Sequence, residues 1–596
     1  MSYKRKNGEL NIELLENNNS KKNKNNTPSK LMSFGSNLGE SYCFDDILME
    51  PLLSNVKSRK DIDLGVDLGN DGRHLYLKNP LISSPMDTVT EDQMAIKMSL
   101  KGGLGIIHRF MTIDEQVSQV KKVKRYLQYI IKNPYLIDAS ESLLDLKYKI
   151  ESTGVSTYCV VSELNSSEDI FEENSINSIS NINIRITRSI SNSFNNESNN
   201  NNNQYKLLGI ITKRDISFLG EFHSDISNVK VKELMTPIKN IHSITYNGNK
   251  FKSLFKNGNY KSRNFKKMIS TAKDLMTKHK IEKIPILDEN QYILGLITWK
   301  NINHYENNQN SASLDEYGRL LVGAAIGIRE DINDNYKERL IRLMEEEVDL
   351  INVDVASGFN YHVISVIQWI RKTYPNLVIM AGSVCESNGF IALGKAGADC
   401  IRVGIGNGSI CSTRLETGVG KGQFSAITEC FDAAFYFGKN NLYQDMPKII
   451  CDGGSLGKTG NKMKALAAGC SGIIMGKTLA ATEESPGNVI FRNGRRMKYY
   501  RGMASTMANL NKQEKLNGKG KINTKFTAEG VDTEIEMKGS VIDIIDQILG
   551  GIKSGMSYLG CHNVPELFQK NIDGVIKFNL VTPIGMSETG IRVKKN

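Results

Sequence analysis

The segment Cys400-Ile-Arg-Val403 is a short apolar run that opens directly into a glycine-rich loop, Gly404-Ile-Gly406-Asn-Gly408-Ser409-Ile-Cys411-Ser-Thr413-Arg-Leu-Glu-Thr417-Gly-Val-Gly420. A run of that length, bounded by turn residues, predicts a strand buried on both faces. Glycines at 404, 406 and 408 let the backbone turn sharply and aim carbonyls and amides inward, so the loop can hold a cation or a phosphate and still expose a sulfur. Cys411 on that loop reads as a nucleophile, with Ser409, Thr413 and Arg414 close to the thiol. The competing reading is a buried cysteine beside a turn, the usual state of a free cysteine.

Working outward, the same kind of run recurs. Pro80-Leu-Ile-Ser-Ser84, Gly103-Leu-Gly-Ile-Ile107, Leu321-Val-Gly-Ala-Ala325, Leu350-Ile-Asn-Val353, Val378-Ile-Met-Ala381, Cys400-Ile-Arg-Val403, Lys448-Ile-Ile-Cys451 and Gly472-Ile-Ile-Met475 are each followed by an amphipathic helical stretch. Eight such units predict an α/β fold, a closed (β/α)8 TIM barrel. Asp87, His108, Asp354, Cys411, Asp452 and Gly476 lie at or just beyond the C-terminal ends of their runs. Barrels of this type place their chemistry at that end.

The 596 residues exceed one ordinary core. No apolar run reaches the roughly 20 residues needed to span a bilayer, and the N-terminus lacks a hydrophobic signal core. The expectation is a cytoplasmic protein with no membrane partner. Nine scattered cysteines show no Cys-x-x-Cys pair, so neither zinc nor a disulfide framework is favoured. The net charge of +11 draws on the first thirty residues and on Lys250 to Lys267, without aromatic-interleaved basic motifs, which argues against nucleic acid.

Residues 1–36, rich in Asn and Lys, predict a disordered tail; the Asn-rich tract 165–204 predicts a surface loop expansion. The barrel is expected in two parts, 37–131 and 309–596, around an insert at 132–308. Within the insert, Leu208-Gly-Ile-Ile-Thr212-Lys-Arg-Asp215 and Leu294-Gly-Leu-Ile-Thr298-Trp-Lys-Asn301 form an internal repeat. Each copy is a strand turning into a helix at a Thr. The repeat resembles a tandem pair of CBS modules, a Bateman domain. The resemblance implies a regulatory purine nucleotide whose ribose meets Thr212 and Asp215; Asn301 replaces the acid in the second copy.

The glycine loop, together with Ser84-Pro-Met86-Asp-Thr-Val-Thr-Glu91, Asp452-Gly-Gly454, Met475-Gly476 and Tyr500-Arg-Gly-Met503, resembles the IMP dehydrogenase and GMP reductase family. The resemblance implies that Cys411 forms a thioimidate at C2 of a purine nucleotide, GMP or IMP, and that Thr413 assists. It implies substrate contacts from Ser84, Met86, Ser409, Asp452, Gly454, Gly476, Lys477, Tyr500, Met503, Glu529 and Gly530. It implies cofactor contacts from Asp354, Ala356, Ser357 and Gly404, and a potassium-type monovalent cation on the carbonyls of Gly406, Gly408 and Cys411. Family members form tetramers, and the insert pairs tetramers into octamers.

Which reaction is run turns on the expected flap, 488–538. Dehydrogenases of the family activate water with an adjacent Arg-Tyr pair there; between Gly502 and Glu529 this chain has neither residue. A lysine near its ordinary pKa is protonated at neutral pH and does not substitute. Asp354-Val-Ala356-Ser357-Gly-Phe-Asn-Tyr-His362 and Thr417 before Gly-Val-Gly resemble the reductases. The expected activity is therefore NADPH-dependent GMP reductase. The alternatives are an IMP dehydrogenase using NAD and a catalytically silent nucleotide-binding regulator. One departure stands against the first: the flap acid of reductases is absent at Thr506, leaving Glu514 or Glu529 to replace it.

Overall fold

The computed structural model describes residues 39–132, 134–162, 205–219, 228–248, 250–251, 262–331, 334–437, 446–454, 457–517, 527–582 and 584–585. The expected tail and the whole of the Asn-rich tract lie outside these residues. Residues up to Ser41 belong to a separate unit; every element below lies in the compact unit Tyr42–Asn596.

Eight parallel strands close into a barrel: β1 (Leu81–Ser83), β2 (Leu104–Ile107), β3 (Gly323–Ile326), β4 (Leu350–Asp354), β5 (Val378–Val384), β6 (Cys400–Val403), β7 (Lys448–Asp452) and β8 (Gly472–Met475). They follow one another in chain order, and β2 pairs with β3 across the whole insert, Ile106 opposite Gly323. The third expected run begins two residues later than read, because Val322 N–H is held by Asp349 Oδ2 at 2.8 Å.

Alternation along each strand sorts the side chains into two cores. Leu104, Ile106, Leu350, Val378, Met380, Cys400 and Ile450 fill the barrel, and Leu68, Leu75 and Leu77 join the same cluster from a flanking hairpin. Ile107, Ile351, Ile379, Ile401, Ile449 and Ile473 pack instead with helix residues such as Val117, Leu340, Ile367 and Leu393. Each fully buried aliphatic contributes about 1.5–3 kcal/mol. The same parity that buries Leu350, Cys400 and Ile450 places Asp354, Arg402 and Asp452 inside the barrel at its C-terminal rim.

Between β2 and β3 the chain builds two copies of one motif. Leu136–Asp138, helix Leu143–Thr153, Thr157–Val161, Leu207–Thr212 and helix Lys213–Leu219 make the first; Ile244–Thr245, helix Arg263–His279, Lys283–Leu287, Ile293–Thr298 and helix Trp299–Asn308 make the second. In both, the first strand runs parallel to the second and the last two form an antiparallel pair, Thr157 opposite Thr212 and Lys283 opposite Thr298. The repeat read at Thr212 and Thr298 is therefore a repeat of the fold.

After β8, Val489–Arg492, Arg495–Arg501 and Asp532–Glu536 form a three-stranded antiparallel sheet, with helix Thr506–Asn517 leaving its second strand. Among the described residues no helix is long and apolar enough to cross a membrane.

Candidate active site

The loop after β6 carries Cys411 to a half-buried position on the barrel rim. Gly404 adopts φ +139°, and a side chain there would collide with the Asp452 carbonyl, so glycine is required where β6 turns into the loop. Thr413 opens the short helix Thr413–Thr417. The Cys411 thiol donates to Thr413 Oγ1 at 3.2 Å, and Thr413 Oγ1 donates to Glu529 Oε2 at 2.8 Å. Thiol, hydroxyl and carboxylate thus form one donor–acceptor chain.

Glu529 is held there by backbone. Cys411 and Gly530 form an antiparallel bridge, Ser412 N–H donates to Glu529 O at 3.0 Å, and Val531 N–H donates to Ile410 O at 3.0 Å. Glu529 N–H in turn donates to Ala504 O at 3.1 Å. A methyl on Gly530 would lie 3.3 Å from Gly502 Cα, so the two glycines allow both flap segments to close on the cysteine loop. Glu514, the other candidate acid, is exposed on helix Thr506–Asn517.

Beside the thiol, several expected substrate residues converge. Tyr500 is buried, and its hydroxyl is hydrogen-bonded to Ser409; burial pushes its pKa up to about 12. A methyl on Gly476 would come within 3.0 Å of that hydroxyl and 3.5 Å of Met86 Sδ, so Tyr500, Gly476, Met86 and Ser409 pack together. Ser84 is buried, its N–H bound to Met475 O at 3.0 Å. Met503 Sδ accepts from Asp87 N–H at 3.4 Å, and Asp87 is also held by Arg501 Nε at 2.9 Å. Lys477 is exposed at the start of Lys477–Ala480. Gly454, at φ +82°, packs on Gln423, its N–H on Asn407 O.

Arg402 is buried at the barrel rim between two acids. It donates to Asp354 Oδ1 through Nη1 and to Asp452 Oδ2 through Nη2 at 2.6 Å and Nε at 3.2 Å. Burial disfavours its charge, but the two carboxylates outweigh that and raise its pKa. The expected cofactor acid and the expected ribose acid are therefore held by one guanidinium. Ala356 and Ser357 follow Asp354 on an exposed loop.

In the insert, Asp215 Oδ2 accepts from Thr212 N–H at 2.7 Å and from Thr212 Oγ1 at 2.8 Å. In the second copy Thr298 Oγ1 accepts from Asn301 N–H at 3.1 Å. The expected pair is together, and distant in sequence from the cysteine loop.

Sequence reasoning missed Arg402, Arg109, Asp334 and Lys512. Arg402 had a signal: a charged residue inside a run buried on both faces needs partners. Arg109, Asp334 and Lys512 come from three segments and carried none.

A (β/α)8 barrel that sets one thiol, with an acid chain behind it, on a glycine-rich loop at its C-terminal rim has the parts that nucleophilic catalysis through sulfur requires. Residues 41–591 match the model of the IMP dehydrogenase / GMP reductase domain, and the chain belongs to that family of nicotinamide-dependent oxidoreductases acting on purine nucleotides. It is 36% identical over 533 residues to inosine-5'-monophosphate dehydrogenase of Nitrosopumilus maritimus, covering 89% of this chain and 94% of that one. It is 36% identical over 550 residues to the Bacillus subtilis dehydrogenase, covering 92% and 95%. Among solved structures it resembles a Cys-to-Ala variant of GMP reductase from Trypanosoma brucei in complex with guanosine 5'-monophosphate, with TM-score 0.73 and 30% identity over 94% of this chain and 99% of that one. The same reductase in complex with guanosine 5'-triphosphate matches with TM-score 0.64 and 27% identity, over 92% and 99%.

Proposed function

We propose that this enzyme is a GMP reductase, converting GMP to IMP and ammonia through a Cys411 thioimidate at purine C2. The observation that carries the reading is the chain from the Cys411 thiol through Thr413 Oγ1 to Glu529 Oε2. Glu529 supplies the flap acid that the sequence lacks at Thr506.

The chain accounts for both proton movements of the first half-reaction. Glu529 draws the thiol proton through Thr413, leaving a thiolate to bond to C2. The same proton returns along the chain to the 2-amino group as its bond to C2 breaks, and ammonia leaves. Ser409, Gly454, Gly476, Lys477 and Tyr500 hold the nucleotide phosphate, and Ser84 and Met86 line the nucleotide pocket. Asp452 accepts the ribose hydroxyls, beside Gly454, and Met503 with Gly530 meets the purine edge. NADPH, when bound, supplies hydride to C2. Asp354, Ala356, Ser357 and Gly404 would meet its nicotinamide end, Ala356 and Ser357 from an exposed loop. Carbonyls of Gly406, Gly408 and Cys411 would hold a monovalent cation, although Gly408 O already accepts from Cys411 N–H at 3.1 Å.

The absence of Arg and Tyr between Gly502 and Glu529 supports reductase over dehydrogenase, since hydrolysis needs a water-activating base. The second reading, IMP dehydrogenase with NAD, is favoured by the names of the relatives at 36% identity. In that reading Glu529 serves as the base toward water. The insert is read as a tandem CBS pair taking a purine nucleotide at Thr212 and Asp215, in a cytosolic homotetramer or octamer.

The test is absorbance of the reduced cofactor with GMP plus NADPH against IMP plus NAD, with Cys411→Ala as control. Cysteine-dependent loss of NADPH with GMP is the expected result. Sustained NADH production from IMP, with none of that loss, overturns the reading.

A further inference from the structure

The hairpin of Val66–Asp67 and Tyr76–Leu77 closes the barrel at the end opposite Cys411: Cys400, the first residue of β6, donates its thiol to Leu68 O at 3.0 Å. The insert leaves and rejoins the barrel at this same end, after helix Ile113–Tyr126 and before β3. Between hairpin and insert lies a cavity of about 770 Å³. Small-molecule sites fall within roughly 300–1,000 Å³ and favour domain junctions. Cys411, Glu529, Thr212 and Asp215 take no part in its lining, so it is neither the site of the chemistry nor the place read for the regulatory nucleotide.

The aromatic part of the lining is fixed in advance. Tyr129 stacks on Tyr305 with ring centroids 4.0 Å apart and meets Phe265 edge-on at 5.6 Å. Tyr305 and Phe265 are buried, and the Tyr129 hydroxyl is hydrogen-bonded to Glu306. On the barrel side Tyr76 is 46% exposed, and a methyl on Gly65 would collide with its hydroxyl, so glycine lets this ring lie against the backbone. A fixed, open ring in a cavity is a platform for another planar group.

Charge selects what that group carries. Three lysines line the cavity against one acid, and that acid, Glu306, is already paired with Lys273 at 2.6 Å. Lys78 on the barrel side and Lys266 on insert helix Arg263–His279 make no ion pair among the described residues; Lys78 Nζ stands 5.7 Å from the centre of the Tyr76 ring. Asp63 and Asp67, whose charge reaches Tyr76, lie outside the lining and accept from the N–H groups of Gly65, Gly69 and Leu75. A dianion bearing a ring matches two lysines beside an open tyrosine.

We propose that this cavity binds a small organic phosphate with a planar ring, the phosphate held between Lys78 and Lys266 and the ring against Tyr76. Bound there, the ligand ties helix Arg263–His279 to the closed end of the barrel. The insert thereby gains a second ligand, independent of the reaction run at Cys411.

The probe is 4-methylumbelliferyl phosphate, a bicyclic ring carrying a phosphate, titrated by calorimetry into the full-length protein. Wild type is compared with Lys78→Glu/Lys266→Glu and with Tyr76→Ala, all exposed positions whose folding is checked by thermal unfolding. Binding at any other phosphate site is common to the three proteins. Reversal of two charge-assisted contacts is expected to weaken the cavity site about 10- to 100-fold. Tyr76→Ala is expected to weaken the probe and leave inorganic phosphate unaffected. Hydrogen exchange is expected to show the probe protecting Tyr76–Leu77 and Arg263–His279. Identical isotherms for wild type and the lysine variant overturn the proposal, as does protection confined to the Cys411 rim. Inorganic phosphate bound in the cavity as tightly as the probe overturns the assignment of a ring-bearing ligand.

Discussion

Thr413 Oγ1 donates to Glu529 Oε2 at 2.8 Å across 116 positions of sequence, and the Cys411 thiol donates to the same hydroxyl. One hydroxyl therefore links the Cys411 thiol to a carboxylate on a different segment. Glu529→Gln keeps the shape and removes the proton acceptor. A general acid–base group contributes about 10²- to 10⁴-fold, so kcat with GMP and NADPH is expected to fall in that range with KM for GMP changed only a few-fold. A variant with unchanged kcat would show that Glu529 only braces the flap.

Thr413 separates proton transfer from packing. Thr413→Ser retains the hydroxyl and is expected to keep activity within about tenfold of wild type, whereas Thr413→Val, nearly the same size, is expected to lose about 10²-fold or more. Steady-state kinetics on the two variants decide it; equal losses would remove Thr413 from the proton path.

Much of this architecture was legible in the sequence, for a physical reason. Strands buried on both faces are nearly continuous apolar runs, so Val378-Ile-Met-Ala and Gly472-Ile-Ile-Met stand out by composition alone. The repeat at Thr212 and Thr298 was legible because two copies fold by the same rule. Contacts between distant segments were not. Nothing local to Ala528-Glu529-Gly530 says that its backbone bridges Cys411, and nothing near Asp334 announces Lys512. Arg402 is intermediate: its neighbours declare it buried, but its two acids come from β4 and β7.

Arg402 also sets a stability prediction. Removing one partner of a buried ion pair typically costs about 3–5 kcal/mol, and Arg402→Met leaves both Asp354 and Asp452 facing each other without their shared cation. Denaturant unfolding is expected to show destabilisation of that order, partly relieved when Asp354→Asn is added. If the double variant is no more stable than the single, like-charge repulsion is not the cause.

Asp334 gives the flap an acid limit. Burial alone would raise its pKa, but Lys512, Arg339 and Arg109 outweigh burial and hold it below the ordinary value. A carboxylate depressed in the folded state stabilises fully above its unfolded pKa, about 3.9, and that contribution is lost as pH falls through the depressed value. Helix Thr506–Asn517 is therefore expected to lose hydrogen-exchange protection below about pH 4, earlier than the barrel strands. In Asp334→Asn the helix is expected to be loosened already at neutral pH; protection equal to wild type would show that the charge cluster does not hold the flap.

The insert makes a prediction independent of the chemistry. Thr212 and Asp215 are joined by two hydrogen bonds at the start of helix Lys213–Leu219, far in sequence from Cys411. A nucleotide bound through its ribose there would give hydroxyl protons to Asp215. A hydrogen bond to a charged group is worth about 1.5–3 kcal/mol, roughly a 10- to 150-fold change in affinity. Asp215→Asn is therefore expected to leave basal kcat unchanged while weakening the response to added guanosine or adenosine triphosphate by that factor. Asn301→Ala in the second copy is expected to change little, since no acid stands there. Titration of activity against each nucleotide measures both effects. A response carried equally by wild type and Asp215→Asn would place the regulatory ligand elsewhere in the insert.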